Sequence, residues 1–254
     1  MELIFLGTGG GRINLVNQTR ATGGFIISGP QNIHVDPGPG ALVHMRRLGL
    51  SPLKTDIIVV THSHIDHISD AGVLIEGMSQ YGLRKKGILI GGPDSLEGTT
   101  DGQRISEFHI SRAEKVVHAE PGQTFEFEGG KFAFTKGVHD SFPAFGFVLE
   151  MGGKRIGHTG DTEYYDGLED VFEGCDLLIL NTMKPETDRY HGHLTAENAS
   201  RLIGRVQPGL AVLTHMGMKM IGYPPEKKAK EIEEETGVRT IAATDGMKIS
   251  SDQF

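Results

Sequence analysis

The chain has 254 residues, 37% hydrophobic and 23% charged, and its 33 acidic and 25 basic side chains give a formal net charge of −8. That length fits one large α/β domain with ample material for a core, so a disordered chain is excluded, and the acidic balance disfavours a broad nucleic-acid face. A single cysteine, Cys175, excludes a disulfide framework and a cysteine-built zinc cage, and no apolar run reaches the roughly 18 residues of a membrane span.

Residues 2–6 read as a first strand ending at Gly7 rather than as a secretion signal, and the expectation is a soluble cytoplasmic protein. Strands follow at 22–28 and 32–35, then the loop Asp36-Pro37-Gly38-Pro39-Gly40 and a helix over 42–48 stopped by Gly49 and Pro52. Residues 56–60 form a continuous apolar run, the mark of a strand buried on both faces. Past it, Ile68, Ala71, Leu74, Ile75 and Met78 stand at helical spacing. Residues 91–112 lack periodicity and read as a long loop with the makings of a lid. Hairpins are expected around Gly129-Gly130 and Gly152-Gly153, and 176–180, 210–213 and 238–242 read as strands. Helices are expected over 195–206 and 225–235. Strands precede helices in both halves, so the expected architecture is a single α/β domain with two sheets sandwiched between helices.

Chemistry concentrates in Val60-Thr61-His62-Ser63-His64-Ile65-Asp66-His67. A buried strand stops and four metal-ligand side chains appear within six residues. Extended backbone sends His62 and His64 the same way, and the turn into the next helix aims Asp66 and His67 at a neighbouring position. Such spacing suits two adjacent metals better than one. The rival reading is a polar loop that happens to be rich in histidine. Further ligands are needed, and His139, Asp161 and His215 each follow an apparent strand, where α/β sheets gather their sites. Singly each is weak, because a strand-end histidine is more often structural; their common placement carries the weight.

These segments resemble the metallo-β-lactamase superfamily. Gly7-Thr8-Gly9-Gly10, Val35-Asp36-Pro37-Gly38, 62–67, His139, Gly160-Asp161-Thr162 and Leu213-Thr214-His215 match its signature blocks in order. The resemblance implies a four-layer αββα sandwich. It places a first metal on His62, His64 and His139, and a second on Asp66, His67 and His215, with Asp161 bridging. Zinc is the expected metal, with manganese or iron accepting the same donors.

Gly192-His193-Leu194-Thr195-Ala196-Glu197-Asn198 further resembles the ribonuclease Z-like phosphodiesterase branch, where the matching histidine sits beside the substrate phosphate and helps the leaving group depart. Thr195 can cap the following helix, whose amino end favours an anion. The departures are equally informative. Only 22 positions separate His139 from Asp161, too few for the branch's transfer-RNA-gripping arm, and Asn181 stands where an acidic partner of the catalytic histidine is usual. Transfer RNA is therefore disfavoured as a partner. The armless relatives that cleave small phosphodiesters fit better.

The expected function is that of a dinuclear-metal hydrolase acting on a small anionic, cyclic or nucleotide-like phosphodiester. A metal-bridging hydroxide would attack phosphorus, Asp66 would orient it, and His193 would serve the departing oxygen. The alternatives are an ester, thioester or lactone hydrolase on the same metals, a ribonuclease Z-type nuclease, and a metal-containing ligand-sensing module. Relatives often form homodimers, but nothing in the sequence marks an interface. His158 reads equally as a residue behind the ligands or as core or edge packing, His191 is placed near the pocket, and Phe142-Pro143-Ala144-Phe145 and 216–220 read equally as pocket wall or as core.

Overall fold

Alternating side chains on short strands divide between two environments, and that division sets the layers. The computed structural model describes residues 1–98, 104–139, 143–185 and 191–254. Its first half builds β1 (Glu2–Phe5), β2 (Phe25–Ser28), β3 (Asn32–Val35), β4 (Ile57–Val60), β5 (Ile88–Gly91) and β6 (Lys115–His118). The second builds β7 (Thr124–Phe127), β8 (Gly130–Lys136), β9 (Phe145–Met151), β10 (Lys154–His158) and β11 (Leu177–Lys184). After these come the two-residue β12 (Leu194–Thr195), β13 (Leu210–Thr214), β14 (Thr240–Ala242) and β15 (Lys248–Ser250). One sheet runs β15-β1-β2-β3-β4-β5-β6; the other runs β14-β13-β11-β10-β9-β8-β7, with β12 joined to β11.

Between the sheets lies a core of Phe5, Phe25, Ile57 and Val59 from the first sheet and Phe132, Phe147, Ile156 and Ile179 from the second. Ile58 and Val60 point the other way, under helices Ala41–Arg47 and Ala71–Met78. Leu178, Leu180 and Leu213 likewise face helices Ala196–Val206 and Pro225–Thr236. Burial on both faces is why β4 and the first four residues of β11 and of β13 read as unbroken apolar runs. The architecture is the expected four-layer αββα sandwich. Among the described residues no helix is long and apolar enough to cross a membrane.

The stretch 91–112 differs from the expected loop. Its described part carries the turns Pro93–Leu96 and Glu107–Ile110 and buries Leu96 and Ile105 against the outer face of the first sheet. The second turn is set by a local cap, Ser106 Oγ accepting the His109 amide at 3.3 Å, and the first opens on Pro93, whose fixed φ suits a helix start. Four residues are too few to show a period. Residues 99–103, the centre of the expected lid, lie outside the described residues. The helix Arg12–Asn17 and strands β5, β6 and β15 also appear beyond the sequence expectation.

Candidate metal centre

The ligand-rich segment leaves β4 under firm restraint. Asp36, at the end of β3, accepts the Thr61 amide at 2.7 Å and the Thr61 hydroxyl at 2.8 Å. Buried Asp94 accepts the Ser63 amide at 2.6 Å. His64 then sits extended ahead of the single turn Ile65–Ile68, which carries Asp66 and His67. The second sheet supplies the rest: His139 follows β8, Asp161 follows β10, His193 precedes β12 and His215 follows β13. His215 takes a φ of +54°. Its ring fits because position 10 is glycine; a Cβ there would stand 2.3 Å from the ring's Nδ1 and Cε1.

All eight side chains singled out in the sequence come together. His62 Nε2 and His139 Nε2 lie 2.9 and 3.0 Å from His64 Nδ1. His67 Nε2 lies 3.0 Å from His215 Nε2, and His215 Nε2 is 3.4 Å from Asp66 Oδ2. Asp161 Oδ2 stands between the two sets, at 3.9 Å from His62, 3.4 Å from His67 and 3.5 Å from His215. His193 Nδ1 is 3.5 Å from the same oxygen. Among the described residues, four groups each bring their donor atoms within 4.8 Å of one another: His62/His64/His139, His62/His67/Asp161, Asp66/His67/His215 and His139/Asp161/His193.

The donor set fits divalent metal. Two nitrogens on one tetrahedral zinc lie about 3.3 Å apart, close to the spacing of His62, His64 and His139. His139 Nδ1 donates to the Gly192 carbonyl at 2.7 Å, which leaves Nε2 as the lone-pair nitrogen facing the cluster. Burial pushes the His62 pKa well below the usual imidazole range and lowers His64 to about 4, so both rings are neutral and able to ligate. Burial opposes charge on His67 as well, but Asp161, Asp36 and Asp66 outweigh it and hold its pKa well above the ordinary value. The same balance holds Asp161 and Asp66 ionised: burial is outweighed by His215 and His67 around Asp161, and by His67 and His215 around Asp66. Buried carboxylates of this kind call for cations.

Other residues of the site carry a weaker sequence signal. Asp36 Oδ2 lies 2.9 Å from His67 Nδ1, an outer contact that orients a ligand-type ring; only the Val35–Gly38 block hints at it. Asn181, expected beside His193, instead donates to Asp161 Oδ1 at 2.6 Å. His191 is exposed, with Glu163 3.8 Å away. Of the two readings of the segments after the ligands, core holds for three residues: Phe145 packs between the sheets, and Met216 and Met220 pack under the helices of the second sheet. Their apolar side chains gain more from those layers than from a wet cleft. Phe142 lies outside the described residues.

The family model for the beta-lactamase superfamily domain matches residues 31–216. An uncharacterised protein of Methanocaldococcus jannaschii is 35% identical over 253 residues, 98% of this chain and 94% of that protein. A metal-dependent hydrolase of Thermus thermophilus is 30% identical over 196 residues, 74% of this chain and 75% of its own length. The crystal structure of the metallo-β-lactamase fold protein YhfI from Bacillus subtilis superposes with a TM-score of 0.78 at 22% identity, over 98% of each chain. By its fold, by the length of this match and by the order of its histidine and aspartate blocks, the chain belongs to the β-lactamase superfamily.

Proposed function

We propose that the protein is a metal-dependent hydrolase whose substrate is a small anionic phosphodiester. The observation that carries the substrate class is the place of His193. It is 9% exposed, 3.5 Å from Asp161 Oδ2, with its ring 4.7 Å from that of His139. Two residues later Thr195 caps the helix Ala196–Val206 in a reciprocal capping box with Asn198. A buried imidazole beside ligand-type residues, two positions ahead of a capped helix amino end, is an arrangement suited to a phosphoryl group and its departing oxygen.

His62, His64 and His139 would hold one divalent ion and Asp66, His67 and His215 a second, with Asp161 shared. Zinc suits the all-imidazole and carboxylate donors best. Ions so held supply Lewis acidity and a nucleophilic water at neutral pH. Asp66 accepts the Gly11 amide at 3.0 Å and is kept ionised, so it can orient a water beside His215. Burial holds the His193 pKa down at about 4, and a neutral ring meets the leaving oxygen as an N–H donor. The hairpin of β9 and β10 takes up residues 145–158 of the short segment between His139 and Asp161, which weighs against an inserted RNA-gripping arm.

The test is hydrolysis of bis(p-nitrophenyl) phosphate by zinc- or manganese-loaded protein, beside p-nitrophenyl acetate and an Asp161→Ala control. Diester turnover that disappears in the control supports the reading. Acetate turnover without diester turnover moves the protein to carboxylic esters. A metal-replete protein inert to both points to the sensing role.

A further inference from the structure

His158 closes β10 on the face turned toward the other sheet. It is 1% exposed, edge-on to Phe25 with ring centroids 5.0 Å apart and tilted against Phe147 at 5.3 Å. Among the described residues neither of its ring nitrogens has a hydrogen-bond partner. An imidazole buried between phenylalanines is costly where leucine would pack as well, because an unmatched polar group gives up its solvation with nothing in return. A group outside the apolar shell must use it.

The polar neighbour is Asp36 Oδ2, 3.9 Å from His158 Nε2. That is beyond a direct hydrogen bond and at the reach of a bridging water. A cavity of about 30 Å³ lies there, lined by His158, Asp36, His67, Asn181, Thr214 and His215 among others. It has room for one water, which needs two to four polar partners. His215 Nδ1 also has no hydrogen-bond partner among the described residues.

We infer that this cavity is a single-water site and that His158, acting through the water and Asp36, is a positioning residue for His67 and His215. The water couples the outer edges of two of the three side chains in the Asp66/His67/His215 group. The His62/His64/His139 group stands one step further away: Asp36 meets His62 only through the Thr61 hydroxyl, 2.8 Å from Asp36 and 3.3 Å from His62, and His139 is held by the Gly192 carbonyl. His158 belongs to the second sheet and Asp36 to the first, so the link also sets the spacing of ligands drawn from both. The inference rests on the two-metal reading above and adds a selectivity to it: His158 serves one metal more directly than the other.

The experiment is stepwise metal uptake by full-length protein, measured by competition with a chromogenic chelator, for wild type, His158→Phe and His158→Gln. Thermal unfolding of the metal-free forms serves as a folding control. We expect His158→Phe to weaken one equivalent by about 10–100-fold and to spare the other, with a changed Co²⁺ absorption band for the weakened site. His158→Gln, which keeps a polar tip, recovers most of that loss. Two unchanged equivalents in His158→Phe, or equal weakening of both, overturn the inference. If His158→Phe does not fold, a His158→Gln protein with both sites weakened alike overturns it too. A wild-type chain that takes up one equivalent overturns the two-metal reading itself and the inference with it.

Discussion

Asn181 Nδ2 donates to Asp161 Oδ1 at 2.6 Å, and Asp161 Oδ2 is the oxygen turned toward His62, His67, His193 and His215. One carboxylate thus has one oxygen committed to the protein and one presented to the cluster. Without the amide, the carboxylate can rotate and share both oxygens. Asn181→Leu should therefore lower metal affinity by about 10–100-fold while the protein still folds, read by chelator competition and thermal unfolding. Asn181→Asp should do more damage, because it sets a second carboxylate against the first. Unchanged affinity in both variants would mean that Asp161 is held by its strand alone.

His193→Ala separates a leaving-group residue from a metal ligand. The donor atoms of His193, His139 and Asp161 lie close enough to share an ion. In the phosphodiesterase reading, the variant keeps its full metal content and loses about 10²-fold in turnover. Loss of a metal equivalent in the purified variant, measured by elemental analysis, would make His193 a ligand. In that case the turnover loss reports the missing ion.

Much of the centre was legible because its chemistry is concentrated. Four ligand-type residues fall within six positions of a doubly buried strand, and His139, Asp161, His193 and His215 lie just beside strands. Apolar runs such as β4 and the first four residues of β13 announce themselves because burial on both faces leaves them no solvent-facing side chain. What stayed hidden depends on contacts between distant segments. Asp36 meets His67 across 31 positions, and Asn181 meets Asp161 across two parallel strands. The order of blocks in the chain sets Asn181 beside the wrong partner. The helical turns within 91–112 escaped because each is four residues long, too short to repeat a hydrophobic position.

Gly10 is required by the ring of His215 rather than by its own backbone. A Cβ at position 10 would stand 2.3 Å from His215 Nδ1 and Cε1, and that ring is buried with its Nε2 committed to the cluster. Gly10→Ala should displace the ring while leaving the sheets intact. The expected result is a turnover loss of about 10²-fold, in line with a ligand misplaced by an ångström, together with weakened uptake of one metal equivalent. Kinetics and chelator competition on the same preparation check it. Wild-type values for both would show that the Gly7–Gly10 loop moves aside.

The last prediction concerns stability and a histidine outside the centre. His34 is fully buried in β3, and its Nε2 donates to the Gly23 carbonyl at 3.0 Å. Burial lowers its pKa from 6.5 to about 4, against the opposing pull of that carbonyl and of Asp36. The folded chain therefore binds fewer protons than the unfolded chain between those two values. Stability from the neutral ring is complete above the unfolded pKa and is lost as pH falls through the window, levelling off below the folded one. His34→Gln removes the titration and carries a constant packing cost at every pH. Urea unfolding of both metal-free proteins at pH 8 and pH 5 isolates the difference. Wild type should lose about 2 kcal/mol more than the variant over that interval. Other acid-sensitive groups, the cluster histidines included, act alike in both chains and cancel. Parallel losses would mean that His34 becomes solvated before it protonates, and that the outer face of the first sheet opens in mild acid.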